Sequence, residues 1–231
     1  MLHGMFGHAA NWQSIVDKLS AQYRAIALEL PYLKLTKENC SVEYLSDYVL
    51  KFADSKGLDK TTYMGNSLGG HIALDIAIKN RDRIEGLILT GSSGLFERSY
   101  EKDLQIHPTK LYLRKKIGEV FFDQRHVTDA LVDDVYNVLL NRRNKVKFVR
   151  LSKSAKGYNV KDALHLVDCP TLLIWGREDT ITPPSVAFEF KKYIKKSQLK
   201  FIDRCCHAPM VEYPDEFEKI ILEFFSFVNY Y

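Results

Sequence analysis

The sequence predicts an α/β protein, built on a mostly parallel sheet that is flanked by helices. Short apolar runs typical of buried strands alternate along the chain with amphipathic helical runs. The segments between these runs are long enough for the helical crossovers that parallel strands need. A glycine-rich corner, GNSLGG, also joins one of the short runs directly to an apolar helical run. The chain of 231 residues suits one sizeable core that carries an insertion.

Five segments are expected to form the sheet. The first is YRAIALEL at residues 23–30, and the second is the short run TTYM at residues 61–64. The runs IEGLILT at 84–90 and TLLIW at 171–175 are almost entirely apolar, which is typical of parallel strands buried on both faces. A shorter strand is expected in LKFID at 199–203.

Helices are expected between these strands and near both ends of the chain. The first helix contains NWQSIVDKL, and a second covers about residues 42–55, with Ser41 as its N-cap and Gly57 just beyond its end. A buried helix follows the glycine-rich corner. The last helix, at about 215–228, has an apolar stripe that would cover one face of the sheet.

The segment between IEGLILT and TLLIW has no comparable strand and has helical spacing instead. We expect helices in KLYLRKKIGEVFF, in TDALVDDVYNVLLNRR with Thr128 as a candidate cap, and in KFVRLSKSAK. The predicted organisation is a core formed by residues 1–94 and 166–231, with a helical cap, or lid, at 95–165. Insertions of this length between core strands usually bind ligands or cover a site.

The cap contains aromatic and aliphatic side chains that suggest an apolar substrate pocket. The alternative is that most of them simply pack the cap against the core. The residues concerned are Leu95, Phe96, Tyr112, Phe121, Phe122 and Tyr136.

Composition argues against several classes of function. The 33 basic and 29 acidic residues are mixed along the chain, so a nucleic-acid partner is not expected. No apolar run approaches the length of about 20 residues that spans a bilayer, and the N-terminal residues lack the order of a signal peptide. We therefore expect a cytoplasmic protein without a membrane partner. The cysteines have neither disulfide density nor metal-binding spacing: Cys40, Cys169, Cys205 and Cys206.

The corner GNSLGG has the features of a site for a nucleophile. A sharp strand-to-helix turn brings its flanking residues against the neighbouring strand and helix, and Gly65 and Gly69 would remove those collisions. Ser67 would stand out of the turn. The N–H of Leu68, at the start of the helix, would point towards its hydroxyl and could hold an oxyanion.

After Ser67 the chain supplies an acid and then a histidine, which is the expected order. Asp179 lies in the loop after the strand TLLIW, with Glu178 as its nearest rival, and His207 lies in the loop after the strand LKFID. Loops at this edge of a parallel sheet hold ligands. Five other histidines are expected to be surface or packing residues: His8, His71, His107, His126 and His165.

A second oxyanion donor is expected from the loop LHGMFGHAANW near the start of the chain. The N–H of Met5 is the preferred candidate, and Phe6 is the alternative. Ser67, His207 and Asp179 would form a catalytic triad. No metal or other cofactor is expected, because the histidine and the acid are used in this triad and no cluster of metal ligands remains.

Together these motifs resemble the α/β-hydrolase superfamily over essentially the whole chain. The resemblance lies in HG followed by a glycine loop, the elbow GNSLGG, WGREDTITP around the acid, CHAPMVEYPDEF around the histidine, and the cap. The chain is most similar to the small carboxylesterases and the meta-cleavage-product hydrolases, which also have Gly-Asn-Ser at the elbow. It departs from the family at Cys206, where glycine is usual. It also departs at Ala208, where carbon–carbon hydrolases often have tryptophan.

The start of the chain is a further departure. In the family, a central strand precedes the HG loop, but here that loop follows Met1 and Leu2. We expect at most a stub of this strand, between the segments 23–30 and 61–64. The hypothesis is that Met1 is an internal methionine of a longer natural protein. An in-frame stop codon shortly upstream, with no start codon in between, would contradict it.

The resemblance implies a serine hydrolase that acts through an acyl-enzyme on a small-molecule substrate. A carboxylesterase for small apolar acyl esters is the first expectation. The alternatives are a carbon–carbon bond hydrolase of vinylogous diketones and a noncatalytic small-molecule-binding protein on the same fold. A degenerate protein that cannot assemble the site is a further alternative, and the oligomeric state is left open.

Overall fold

The computed structural model describes residues 1–96 and 108–228, and it contains the parallel sheet that the sequence predicts. The strands are β1 Thr61–Asn66, β2 Ile84–Thr90, β3 Thr171–Gly176 and β4 Ser197–Ile202, hydrogen-bonded in that order. All three pairings are parallel. The α/β class and four of the five predicted strands are therefore confirmed.

Helices flank this sheet and connect its strands. Their bounds are α1 Gln13–Leu19, α2 Val42–Ser55, α3 Leu68–Lys79, α4 Lys110–Gly118, α5 Asp129–Leu140, α6 Arg142–Gly157, α7 Pro184–Tyr193, α8 Pro209–Glu212 and α9 Pro214–Val228. Helix α3 connects β1 to β2, and α7 connects β3 to β4. The predicted N-cap of α2 is confirmed, because the Ser41 side chain accepts from the N–H of Tyr44 at 3.1 Å.

The predicted strand over residues 23–30 is wrong. Within it, Leu28 alone makes a β-bridge, which runs parallel to Leu2, and Leu2 bridges to Gly65 on its other side. The Leu2 N–H donates to the Met64 carbonyl at 2.8 Å. Because the intervening strand is only a stub, most of the segment has no ladder partner to hold it extended. The stub itself lies where the sequence predicts it.

The sheet is buried on both faces. One face packs in a cluster that includes Trp175 and Phe190, and the other packs in a cluster that includes Trp12 and Phe217. Each pair of rings has its centroids 6.0 Å apart, within the range of favourable aromatic contacts. Helices α1 and α9 cover the second face, as the apolar stripe of the last helix predicts.

The connection between β2 and β3 is helical where the structure describes it. It contains α4, α5 and α6, and Thr128 caps α5 by accepting from the N–H of Leu131 at 3.1 Å. The predicted helices are thus confirmed, and so is the prediction that Thr128 is the N-cap of α5. The boundaries of the cap at 95 and 165 remain a prediction.

Contacts at the base of this helical segment join it to α3. The His71 ring of α3 stacks on Tyr158, with centroids 5.5 Å apart, and the Tyr158 hydroxyl donates to Asp75 at 2.6 Å. The Val160 N–H donates to the Gly94 carbonyl at 2.9 Å, so the two ends of the connection meet here. Burial lowers the pKa of His71 to about 4, although Asp75 and a hydrogen bond to the Tyr158 backbone act in the opposite direction.

Acid should destabilise the protein through His71. Its pKa is lower in the folded state than the usual 6.5, so between pH 6.5 and about 4 the unfolded chain binds the additional proton. Stability should therefore fall as the pH is lowered through this window, by roughly 3 kcal/mol at most from this group. Urea unfolding of wild type and His71→Phe at several pH values measures the difference in slope. Equal slopes would contradict the assignment, because the other buried groups are common to both proteins.

Candidate active site

The strand-to-helix corner is strained and tightly packed, as its glycines predict. Ser67 lies between β1 and α3 with φ 54° and ψ −119°, a backbone region that non-glycine residues rarely adopt. A β-carbon on Gly65 would lie 2.3 Å from the Gly69 carbonyl oxygen, and one on Gly69 would lie 2.2 Å from the Leu2 carbonyl oxygen. The close approach of strand, helix and N-terminal stub therefore requires both glycines.

The predicted histidine and acid form a buried pair. His207 Nδ1 lies 2.9 Å from Asp179 Oδ2, and the two residues are 6% and 2% exposed. The other carboxylate oxygen accepts from the N–H groups of Ile181 at 2.8 Å and Thr182 at 3.0 Å. Because a carboxylate only accepts hydrogen bonds, the imidazole proton is placed on Nδ1, and Nε2 is left as the acceptor.

Glu178, the rival acid, has a different role. Its Oε2 accepts from the N–H of Cys205 at 2.9 Å, and Glu212 Oε1 accepts from the N–H of Cys206 at 2.8 Å. These two carboxylates hold the loop that carries His207 rather than the histidine ring. The structure thus brings Asp179, and not Glu178, to the imidazole.

Ser67 and His207 line the same cavity. No hydrogen bond joins the serine hydroxyl to the imidazole in the described part of the chain. Catalytic hydrogen bonds are often long before substrate binds.

The Asn66 amide, which the sequence analysis did not select, donates to the carbonyls of His207 at 2.9 Å and Thr90 at 3.1 Å. Asn66 therefore joins the serine corner directly to the histidine loop.

The N-terminal loop forms a tight turn beside Ser67. The Gly7 N–H donates to the Gly4 carbonyl at 3.1 Å, and Phe6 has a φ of 62°. His3, which the sequence analysis also missed, donates from Nδ1 to Gly4 O at 2.9 Å and accepts at Nε2 from the Leu30 N–H at 3.0 Å. Burial lowers the pKa of His3, which favours the neutral ring that this bonding requires.

The two residues predicted to supply oxyanion donors belong to the same cavity as Ser67. Met5 and Leu68 both line the cavity, and Leu68 is the first residue of α3. The first N–H groups of a helix have no partner within the helix, so the Leu68 N–H is suited to hold an anion. Phe6, the alternative to Met5, lines the cavity too. Their roles as donors remain predictions.

The cavity has a volume of about 210 Å³ and is mostly apolar. Among the aromatic cap residues expected to form it, Tyr112 and Phe121 line it. Phe96 and Phe122 are instead more than 40% exposed to solvent. Leu95 and Tyr136 pack against the two core clusters, so the alternative that most of the set packs the cap against the core describes these two residues only.

The cavity wall also contains an ion pair contributed by α4 and the residue that follows it. Lys116 Nζ lies 3.2 Å from Glu119 Oε1, and both side chains are about a quarter exposed. The Lys116 ammonium also lies 5.9 Å from the centre of the Tyr112 ring. A charged group of a substrate could therefore meet either sign at this wall.

The cysteines next to His207 are free thiols. Burial raises the pKa of Cys206 to about 12 and that of Cys205 well above its usual range, so both are neutral at ordinary pH. Cys206 donates to the Glu178 carbonyl at 3.2 Å, and a β-carbon on Gly176 would lie 1.9 Å from the Cys206 carbonyl oxygen. The glycine at position 176 thus makes room for the backbone of the histidine loop.

The described residues contain neither a metal-binding cluster nor a membrane-spanning helix. Residues 1–96 and 108–228 contain no group of three or more histidine, cysteine, aspartate or glutamate side chains that could hold a metal ion. Within the same residues, every helix is too short or too polar to cross a membrane.

Replacing Gly69 with alanine should destabilise the fold, because the new methyl group would collide with the Leu2 backbone. We expect a loss of about 3 kcal/mol in the free energy of unfolding, typical of a collision that the backbone must relieve. The matched control is Gly157→Ala, at a helical glycine with nothing within 4 Å of the new β-carbon. Chemical denaturation of the two variants measures the difference, and similar stabilities would contradict the close-approach argument.

Comparison with known proteins agrees with this geometry. Residues 1–110 match a family model described as the alpha/beta hydrolase fold. The 2-hydroxy-6-oxononadienedioate/2-hydroxy-6-oxononatrienedioate hydrolase of Klebsiella pneumoniae is 28% identical over 98% of this chain and 86% of the relative. The meta-cleavage product hydrolase of Pseudomonas fluorescens IP01 superposes with a TM-score of 0.83 at 23% identity, over 97% of this chain and 89% of that one.

A closer match in sequence is an α/β hydrolase enzyme from the metagenome of lagoon sediments at Mar Chica, Morocco. It is 31% identical over 97% of this chain and 88% of its own, with a TM-score of 0.77. The chain therefore belongs to the α/β hydrolase family and is a hydrolase.

Proposed function

We propose that this protein is a serine hydrolase in which Ser67 is the nucleophile, His207 the base and Asp179 the acid. The observation that carries the proposal is the buried 2.9 Å contact between His207 Nδ1 and Asp179 Oδ2. It fixes the tautomer in which Nε2 can accept a proton, in a cavity that Ser67 shares. The strained backbone at Ser67 is a second support.

In the proposed mechanism His207 Nε2 takes the hydroxyl proton as Ser67 attacks a carbonyl carbon. Negative charge then develops on the carbonyl oxygen, and the N–H groups of Leu68 and Met5 stabilise it. Asp179 stabilises the imidazolium ion that forms. The imidazolium gives its proton to the leaving group, and a water molecule, activated by the same histidine, releases the acyl group from Ser67.

Carbon–carbon bond hydrolysis is the substrate chemistry that the relatives favour. Several are named as hydrolases of 2-hydroxy-6-oxo acids, including the Klebsiella enzyme and one from Metapseudomonas resinovorans that is 25% identical. In such a reaction Ser67 attacks the ketone, the bond to the adjacent carbon breaks, and that carbon receives the proton from His207. Water then converts the acyl-enzyme to a carboxylic acid. The conjugated chain of the substrate accommodates the electron pair of the broken bond.

Carboxylic ester hydrolysis is the second candidate, and the character of the cavity favours it. The lining is mostly apolar, and its ammonium group on Lys116 already has a carboxylate partner. Ala208 also leaves a small side chain next to the histidine, where carbon–carbon hydrolases often have tryptophan. A small apolar acyl ester needs no cation for binding, whereas a dicarboxylate has two negative ends to accommodate.

A fluorophosphonate probe should label the wild-type protein and leave Ser67→Ala unlabelled, because the probe reacts only with an activated serine. Asp179→Asn should retain the fold but lower the rate of labelling by up to about 10⁴-fold, since the imidazole then loses its tautomer and its counter-charge. Gel fluorescence against time measures the rates. Equal labelling of wild type and Ser67→Ala would contradict the mechanism. A folded wild type that is unlabelled but binds ligand would favour a noncatalytic receptor.

Lys116→Met should separate the two substrate classes. If a dicarboxylic 2-hydroxy-6-oxo substrate is used, Lys116 attracts one carboxylate, and the substitution should raise KM about five- to tenfold with little change in kcat. Hydrolysis of p-nitrophenyl butyrate, which is neutral, should be unaffected.

The matched control is Lys110→Met. Lys110 is in the same helix, pairs with Asp133 at 2.7 Å and is not part of the cavity wall. Its substitution should change neither reaction. Turnover of the ester alone by the wild type would favour the esterase, and equal effects of Lys116→Met on both substrates would contradict the charge argument.

A further inference from the structure

Thr182 is a buried hydroxyl that contacts both the acid and the base of the proposed triad. The residue is 3% exposed, and Oγ1 lies 2.9 Å from Asp179 Oδ2 and 3.3 Å from His207 Nδ1. The carboxylate oxygen that it contacts is the same one that accepts from the imidazole. The hydroxyl and the imidazole therefore share one carboxylate oxygen.

The backbone of Thr182 is held independently of this hydroxyl. Its N–H donates to Asp179 Oδ1 at 3.0 Å, and its carbonyl accepts from the indole N–H of Trp175 at 2.8 Å. The segment therefore keeps its position when the hydroxyl is removed. A change at Oγ1 can be tested without changing where the loop lies.

The direction of the hydroxyl hydrogen follows from the chemistry of its neighbours. Asp179 only accepts, so Thr182 donates to Oδ2, and the bond is charge-assisted at 2.9 Å. The longer 3.3 Å contact allows Oγ1 to accept weakly from the Nδ1 hydrogen. The first interaction, the bond from Thr182 to Oδ2, reduces the negative charge that this oxygen offers to the imidazolium. The second, the contact of Oγ1 with the Nδ1 hydrogen, stabilises the imidazolium slightly. Because the shorter bond is the stronger, the first effect dominates.

We propose that Thr182 is a positioning residue that weakens the hold of Asp179 on the protonated imidazole of His207. The proposal rests on the proposed function, because it concerns the same triad. The Thr182 hydroxyl keeps His207 able to lose its proton, and so to act as a base, at a lower pH than Asp179 alone would allow. A threonine in this position thus extends the active range of the enzyme towards acid.

The other charged groups near His207 would be the same in the wild type and in variants of Thr182. Glu178 and Glu212 bond to the backbone of the histidine loop, and across the cavity Lys116 pairs with Glu119. The adjacent thiols are neutral, since burial raises their pKa. All of these groups remain when Thr182 alone is changed.

The test compares Thr182→Val with Thr182→Ser. Valine has nearly the shape of threonine but no hydroxyl, whereas serine keeps the hydroxyl and loses the methyl group. The pH dependence of fluorophosphonate labelling should move in the valine variant, with its acid limb about 0.5–1 pH unit higher and labelling below that limb roughly three- to tenfold slower. The serine variant should keep the wild-type limb.

A second measurement does not depend on turnover. Titration of the His207 ring by NMR, with labelled histidine and Ser67→Ala as the background, should show the same upward displacement on adding Thr182→Val. An unmoved NMR titration would overturn the proposal, even if the valine variant is less stable or uniformly slower. A displaced titration in a protein that no probe labels would support the role of Thr182 while contradicting the serine hydrolase mechanism.

Discussion

The site depends on how closely three backbone segments approach one another. The end of β1, the start of α3 and the N-terminal stub come within a distance that excludes any β-carbon at Gly65 or Gly69. This contact forces the turn at Ser67 into its positive φ and exposes its hydroxyl to the cavity. The strained corner persists because the surrounding sheet and helix are fully packed, and not because the turn itself is favourable.

Several carboxylates share the task of placing one imidazole. Asp179 contacts the ring, while Glu178 and Glu212 accept from successive backbone N–H groups in the loop before it. Each of these charges is therefore compensated by hydrogen-bond donors, as burial demands. The Asn66 amide completes the arrangement by donating to the carbonyl of His207. The ring is thus fixed through both its own nitrogen and its backbone.

The sequence predicts most of this architecture, because strand periodicity, glycine spacing and loop position are local patterns. Ser67, Asp179 and His207 were identifiable because each follows a recognisable strand. Residues 23–30 have the pattern of a strand yet form a single bridge, since pairing depends on a neighbour that only Leu2 supplies. His3, Asn66 and Thr182 escaped prediction for a related reason. Their partners are mainly backbone groups or distant side chains, and such contacts leave no spacing in the sequence.

Only one residue separates Leu2 from Gly4, so the N-terminal loop has little freedom to move relative to the sheet. Leu2 is hydrogen-bonded into the sheet, and the turn from Gly4 to Gly7 begins two residues later. Two residues of extended chain span at most about 7 Å, so the start of the turn stays within this distance of Leu2 in the sheet. Insertion of a single residue here would turn the following side chains to the opposite side and lengthen this span. The spacing of these first residues is therefore as much a part of the site as their identity.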